Sequence, residues 1–307
     1  MVEKSEQLKN ESTYSYVALG SFDGLHRGHL SLVKKIVELA KENGGRSIVY
    51  TFENHPRTLI KTSNPLKLLL DNKDKTEILK ENGVDEVYFE EFNEDFMKYS
   101  PEEFIKYLCE KFNVKGIVVG FNYKFGYKNL GDTRLLKELS IKYNYKLYVM
   151  EPLKYNDEVI SSTRIRNDLL EGNIEYANEM LTRPYVIHEE VIHGKKIGRQ
   201  IGFPTANVNY SDRFILPKIG VYYTNVRYND KVYRGITSVG KNPTVNGDSV
   251  TLETYILDFN EDIYGKTISV YFIKKIRDEK KFNSLEELMK QLEYDKNTAK
   301  IEKLFVK

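Results

Sequence analysis

Apolar positions follow two rhythms along the chain, and the point where one gives way to the other divides it. In the first part, short apolar runs alternate with stretches that repeat apolar residues at helical spacing. Val17, Ala18 and Leu19 form a first strand, and Val33, Ile36, Val37 and Ala40 mark one face of the helix that follows. Gly44-Gly45 stops that helix, and Ser47 to Phe52 is apolar-rich and strand-like. Val84 to Phe89, Gly116 to Gly120 and Lys146 to Met150 predict further strands. Ser100-Pro101-Glu102-Glu103 has the form of a capping box with proline at the first helical position, so a helix begins there. Strands separated by helices predict an α/β Rossmann-like domain. Its sheet is parallel, with helices on both faces, and its ligands bind beyond the carboxyl ends of the strands.

From about Val186 the runs become strand-like and closely spaced: Val186 to Ile192, Gly220 to Tyr228, Lys231 to Ser238, Val250 to Phe259 and Thr267 to Ile276. Asn229-Asp230, Asn246-Gly247-Asp248 and Tyr264-Gly265 punctuate them as turns. This pattern predicts a closed antiparallel β-barrel. Ser284 to Glu287 is a second capping box, opening a C-terminal helix that contains Leu288 and Leu292. The change falls near Arg183-Pro184, giving domains 1–183 and 184–307. No internal repeat or low-complexity tract is visible.

Charge narrows the choice of partner. The 307 residues carry 47 basic and 45 acidic side chains, so there is no broad electrostatic footprint for nucleic acid. Lys274-Lys275 and Lys280-Lys281 are interrupted by Asp278 and Glu279 and read as solvated surface. The single cysteine, Cys109, excludes an internal disulfide and sits among Phe104, Ile105, Leu108 and Phe112 as a small buried residue. Met1 to Ser12 is polar, without a signal-peptide core, and no run approaches the roughly 20 apolar residues of a membrane span. The expectation is a cytoplasmic protein that acts on small molecules, with neither membrane nor nucleic acid as partner.

The chemistry concentrates in a few segments. The first strand runs into Gly20-Ser21-Phe22-Asp23-Gly24-Leu25-His26-Arg27-Gly28-His29. Glycines permit a sharp turn and close approach of a ligand to the backbone. A helix start with two imidazoles favours phosphate. By residue type alone, the pair also fits ordinary turn histidines or part of a zinc site. Ile160-Ser161-Ser162-Thr163-Arg164-Ile165-Arg166 adds three hydroxyls and two arginines at another helix start. The hydroxyls fit simple caps, and the arginines offer phosphate forks. Two such clamps, one early and one late, fit nucleotidyl transfer, in which positive charge and donors sit where negative charge accumulates.

The second dense segment is Gly194-Lys195-Lys196-Ile197-Gly198-Arg199-Gln200-Ile201-Gly202-Phe203-Pro204-Thr205-Ala206-Asn207. Its glycines suit a loop whose amides face an anion or a plain hairpin. It is not a Walker loop, because no Gly-Lys-Ser/Thr follows at the required spacing. Thr205 and Asn207 are neutral oxygen donors suited to a hard cation. Further on, Val250, Leu252 and Ile256 share one strand face, leaving Glu253 on the other beside Tyr255. There it fits a solvated carboxylate or a general base.

Taken together, these residues resemble the bacterial bifunctional riboflavin kinase/FAD synthetase family over nearly the whole chain. The Gly20–His29 turn, Thr51-Phe52-Glu53-Asn54-His55-Pro56, Gly120-Phe121-Asn122-Tyr123-Lys124-Phe125-Gly126 with Gly131-Asp132, and the Ser-Ser-Thr-Arg-Ile-Arg run resemble its adenylyltransferase module. Asn54 stands where the family often has proline. The resemblance implies that Gly20, Phe22, Asp23, Gly24, His26, His29, Ser161, Ser162, Thr163, Arg164 and Arg166 serve ATP. It places Asn122, Phe125 and Asp132 at the flavin, although Phe125 by residue type is a core aromatic.

Gly-Phe-Pro-Thr-Ala-Asn looks like the riboflavin kinase signature, which implies that Thr205 and Asn207 hold magnesium and ATP phosphate under a loop with Gly194, Lys195 and Gly198. Glu253, ahead of Leu257-Asp258-Phe259, matches the family's general base, with Tyr255 where the family often has histidine. Gly220, Tyr222 and Arg277 are implied flavin-site residues, Arg277 also fitting a plain exposed arginine. Implied substrates and products are ATP, riboflavin, FMN and FAD, with Mg2+ or another divalent cation. A transferase with another acceptor matches only the first domain. A flavin binder without turnover leaves Glu253 and both phosphate clamps without a use.

Overall fold

The structure, a computed structural model, describes residues 14–56, 66–194, 198, 201–244 and 247–306. One compact unit extends to Leu66 and resumes from Leu70 to Ile160. The other takes in Lys67–Leu69 and the chain from Ser161.

In the first unit, apolar runs and helical repeats give β1 (Ser15–Leu19), α1 (Arg27–Asn43), β2 (Arg46–Phe52), α2 (Asn72–Glu81), β3 (Glu86–Glu90), α3 (Pro101–Phe112), β4 (Val114–Gly120), α4 (Thr133–Tyr143) and β5 (Lys146–Met150). A short hairpin, β6 (Lys154–Tyr155) and β7 (Glu158–Val159), follows. The five long strands form a parallel sheet in the order β3-β2-β1-β4-β5. Strand alternation feeds two cores. Val17 and Leu19 face α3 and α4 with Phe104, Leu108 and Leu136, while Tyr16 and Ala18 face α1 with Val33 and Ile36. A sheet buried on both faces requires near-continuous apolar strands, and all five residues of β1 are buried. Ser100 and Glu103 make the full reciprocal capping box at α3, with Pro101 at its first position. Strand order reverses between β1 and β4, so the segments leaving Leu19 and Gly120 flank the switch point where such sheets bind ligands.

The second unit contains α5 (Ser162–Glu171), α6 (Ile174–Leu181), β8 (Tyr185–Ile192), β9 (Thr205–Val208), β10 (Gly220–Tyr228), β11 (Lys231–Thr244), β12 (Gly247–Ile256), β13 (Thr267–Arg277) and α7 (Leu285–Ile301). The strands close into a barrel in the order β10-β11-β12-β9-β8-β13, with antiparallel pairs throughout. Strand-rich sequence begins at Tyr185, but α5 and α6 also pack with the barrel. Asn178 donates to the Phe272 carbonyl at 2.8 Å and accepts from the Tyr185 amide at 2.8 Å, and the Lys218 amide donates to the Leu169 carbonyl at 2.9 Å.

Inside the barrel, Thr224, Thr237 and Thr254 are fully buried and satisfy one another, at 2.8 Å and 3.0 Å. The other face of the same strands, with Val221, Tyr223, Ile236 and, on β13, Ile273, packs on Ala299 of α7.

The barrel strands differ most from the sequence reading at β9, β11 and β12. β9 is a strand, although its four residues follow Gly202-Phe203-Pro204 and carry too short an alternation to register. β11 runs on to Thr244 because β12 pairs with it back to Gly247. β12 ends at Ile256, where the chain bends away with Asp258 at φ 54°. At α7, Ser284 accepts from the Glu287 amide, but the Glu287 carboxylate takes the Asn283 amide at 3.1 Å instead of completing the box.

α7 is fixed by a buried ion pair. Arg277 donates to Asp295 through Nε at 3.0 Å and Nη2 at 2.8 Å, Gln291 adds a bond at 2.9 Å, and Asp295 is fully buried. Removing one partner of such a pair leaves a charge uncompensated, at a cost of about 3–5 kcal/mol. Asp295→Ala is therefore expected to lower the stability of the second unit by that order in urea unfolding followed by a probe in the barrel. A loss below about 1 kcal/mol would rule out the pair as the anchor of α7.

Candidate functional site

The first unit builds its site at the end of β1. The Gly20 amide donates to the Tyr50 carbonyl at 3.3 Å, and the chain then turns with left-handed backbone at Phe22 (φ 48°), Gly24 (φ 82°) and Leu25 (φ 41°). Such angles in Phe and Leu are costly and persist only where the surroundings enforce them. Here both side chains are fully buried, and Asp23 is only 3% exposed. His26 caps α1, with its Nδ1 accepting from the His29 amide at 3.3 Å. That bond places the proton of a neutral ring on Nε2, making Nε2 the donor. His26 and His29 stack at 3.7 Å between centroids, and Phe22 meets His29 edge-on at 5.3 Å. Gly28 matters for this packing, since a Cβ there would come within 3.2 Å of the His26 ring. Two imidazoles and the first amides of a 17-residue helix thus share one corner, with the chemistry of an anion site.

On the far side of the switch point, Asn122 is exposed after β4. Phe125 is 5% exposed, stacks on Tyr123 at 5.7 Å and bridges Gly131, so it belongs to the core. Asp132 caps α4 by accepting from the Arg134 and Leu135 amides, and those bonds hold its carboxyl below the usual range. Asn54, in place of a common family proline, exchanges two hydrogen bonds with the backbone of Phe92, at 2.8 and 2.9 Å. Cys109 is half-buried and burial pushes its thiol up to about 11, which disfavours the nucleophilic thiolate.

In the second unit Thr205 and Asn207 alternate onto one face of β9, and β12 answers them. Asn207 pairs with Glu253 and Thr205 with Tyr255. The Thr205 hydroxyl donates to Glu253 Oε2 at 3.3 Å. Gly194 lies against Asn207 so closely that a Cβ would fall 2.1 Å from its amide nitrogen. A Cβ on Gly198 would fall 2.3 Å from the Phe203 carbonyl. Gly194 and Gly198 thus lie closer to Asn207 and Phe203 than any residue with a Cβ could. Lys195 lies outside the described residues. Next to this cluster is a cavity of about 360 Å³ lined by Thr205, Glu253, Tyr255, Arg277, Phe282 and Leu292 among others. Arg277 reaches it with its guanidinium committed to Asp295, neither a plain surface arginine nor a free anion fork. Gly220 packs on the Arg277 carbonyl, and a Cβ there would sit 2.8 Å from it. Tyr222 is fully buried in the barrel, edge-on to Phe272 at 5.5 Å, and its hydroxyl donates to the Lys218 carbonyl.

The Ser161–Arg166 run also falls in the second unit. Ser161 caps α5 by accepting from the Arg164 amide at 3.2 Å, Ser162 and Thr163 open the helix, and Arg166 Nε donates to the Lys67 carbonyl at 2.8 Å.

Comparison with known proteins decides the family. Residues 8–164 match the family model of FAD synthetase and residues 181–302 that of riboflavin kinase. The chain belongs to the bifunctional riboflavin kinase/FMN adenylyltransferase family. Members of that name from Bacillus subtilis and Escherichia coli K12 are 36% and 35% identical, covering 95% and 92% of this chain and 93% and 91% of their own. A crystal structure of a macrolide-efflux protein from Streptococcus pneumoniae superposes with a TM-score of 0.88 at 34% identity, over 95% of each chain. Its name points to transport, whereas among the described residues here no helix is long and apolar enough to cross a membrane.

Two site residues escaped the sequence reading. Lys75 of α2 donates to the Ser21 carbonyl in the first turn, and Asp295 holds Arg277 at the cavity. Lys75 shares a helix face with Ile78 and Leu79, so a lysine on an apolar stripe was the available signal. For the second unit the closest contact yields a test. Gly194→Ala should displace the Asn207 amide and weaken binding of an unhydrolysable ATP analogue with magnesium at this site at least about tenfold by calorimetry, or about 1.4 kcal/mol. Unchanged affinity would show that Asn207 does not contact the nucleotide or its metal.

Proposed function

We propose that the second unit phosphorylates riboflavin to FMN with ATP and that the first joins FMN to AMP, giving FAD and pyrophosphate. The observation that carries this reading is the coincidence of two family matches with two separate constellations, His26/His29 at the β1 turn and Thr205/Asn207/Glu253 on the barrel wall.

In the kinase reaction Glu253 takes the proton of the riboflavin 5′-hydroxyl as that oxygen bonds to the γ-phosphorus and the bond to the β-phosphate oxygen breaks, releasing ADP. A carboxylate beside the Thr205 hydroxyl can accept that proton without a nucleophile on the protein. Flavin occupies the adjoining cavity, with Tyr255 and Arg277 in its lining; Gly220 lies against the Arg277 carbonyl, and the implied role of Tyr222 is indirect, because its ring is buried against Phe272. The donor set fits magnesium. Thr205 and Asn207 present neutral oxygens from one strand face with a carboxylate opposite, suiting a hard cation that keeps its waters and takes phosphate oxygens. Bound there, magnesium supplies charge neutralisation on the phosphates.

In the adenylyl transfer a phosphate oxygen of FMN attacks the α-phosphorus and pyrophosphate leaves. The FMN phosphate is already ionised near neutral pH, so no protein base is required. His26, His29 and the α1 amides orient the triphosphate and stabilise its developing charge, with Gly20, Phe22, Asp23 and Gly24 shaping the turn that carries them. Ser161, Ser162, Thr163 and Arg164, at the end of the FAD synthetase match, and Arg166 just beyond it retain a phosphate role by their motif. Asn122 and Asp132 remain assigned to the flavin side, and Phe125 supports them from the core. By motif the division of labour follows residues 1–183 and 184–307, so α5 and α6 are assigned to adenylyl transfer although they pack with the barrel, and the cytoplasm, where ATP and FMN are at hand, is the proposed location.

Incubation with riboflavin, ATP and magnesium, followed by separation of products, tests the reading. The unaltered chain should yield both FMN and FAD. His29→Ala should accumulate FMN while losing FAD, and Glu253→Gln should lose at least about 100-fold in FMN formation while still adenylating supplied FMN. Loss of both activities from either single change in folded protein would refute two separate sites.

A further inference from the structure

The turn that carries His26 and His29 depends on one backbone carbonyl. The Ser21 oxygen accepts from two donors on different elements, Thr51 Oγ1 at the end of β2 at 3.0 Å and Lys75 Nζ on α2 at 3.2 Å. Thr51 is fully buried and Lys75 is only 5% exposed. Burying a lysine is costly unless its charge is used. The charged groups facing this one are Asp23 of the turn and Asp71 at the start of α2, and the Phe89 ring on β3 lies 5.8 Å from its nitrogen. The residues next to Ser21 are those that need enforcement, Phe22, Gly24 and Leu25 in left-handed backbone. The buried carboxylate of Asp23 would repel a triphosphate brought to the turn, and a cation facing it offsets that repulsion.

We propose that Lys75 is a positioning residue for adenylyl transfer: it holds the Ser21 carbonyl, and through it the Gly20–His29 turn, while its charge offsets Asp23. This inference rests on reading the first unit as the adenylyltransferase. Lys75 acts through the turn and touches no reacting atom.

The environment of Lys75 supplies a readout that a purely structural lysine lacks. Burial pulls its ammonium down to about 8, with Asp23 and Asp71 pulling it partly back up. As pH rises through about 8 the folded protein loses this charge, while the unfolded chain keeps it up to about 10.4. Over that interval the unfolded state binds more protons, so this group makes the fold more stable as pH rises. Adenylyl transfer should decline in the same interval, because the offset to Asp23 is lost. Opposite trends in activity and stability separate positioning from scaffolding.

The full-length chain is assayed for FMN adenylylation and riboflavin phosphorylation between pH 6.5 and 9.5, as Lys75→Met, Lys75→Arg and the unaltered sequence. Lys75→Met is expected to raise the KM for ATP in adenylylation at least about tenfold, with riboflavin phosphorylation unchanged. Lys75→Arg is expected to recover most of the loss and to lack the decline through pH 8, because guanidinium does not titrate there. An unchanged KM in Lys75→Met, or the same alkaline decline in Lys75→Arg as in the unaltered chain, would overturn the proposal. If Lys75→Met fails to fold, the pH profile of Lys75→Arg decides alone. Failure of the functional reading itself appears separately, as no FAD from the unaltered chain at any pH.

Discussion

Asn207 and Glu253 face each other across the β9–β12 ladder, and the chemistry of the second unit depends on that register. Side chains alternate along a strand with period two, so a slip of one residue would send Glu253 into the barrel interior and bring Thr254 to the cavity wall. The interior enforces the register. Thr254 bonds to Thr237, and Thr237 to Thr224, all fully buried, and each needs its partner to avoid an unsatisfied hydroxyl. The carboxylate is thus placed from behind, by a polar ladder that never meets a ligand. Gly194 then lies against the Asn207 side chain, where a Cβ would not fit.

The first unit solves a similar problem with different parts. Its sheet reverses direction between β1 and β4, which creates the crevice, but a crevice does not orient an imidazole. Orientation comes from strained backbone packed into the core, with Phe22 and Leu25 as the plugs, and from the Ser21 carbonyl pinned by Thr51 and Lys75. Once the turn is set, His26 caps the helix and stacks on His29, so both rings are fixed by local geometry. In both units, then, the groups proposed to meet phosphate sit on short segments whose conformation is imposed by buried residues.

Much of this was legible in the sequence because it rests on local signals. The five-stranded sheet follows from apolar runs buried on both faces, and the barrel from closely spaced runs with turn residues between them. The Gly20–His29 turn and the Thr205–Asn207 motif were recognisable because glycine, histidine and an ordered string are specific. Other features depend on partners far apart in the chain. Lys75 acquires its meaning from Ser21 and Asp23, some 50 positions earlier. Arg277 reads as surface until Asp295, a helix away, is seen to hold it. β9 escaped notice because four residues carry too little alternation, and its pairing with β12 spans more than 40 positions. Tyr222 matched a family segment, yet in a closed barrel its face of β10 points inward.

The central claim is that one chain holds two independent nucleotide sites of different construction. Calorimetric titration of the full-length protein with an unhydrolysable ATP analogue and magnesium tests it most directly. The account predicts two analogue molecules per chain, and one in a variant whose Thr205 and Asn207 are both replaced by alanine. A single site in the unaltered chain, or the loss of both in that variant, would contradict it.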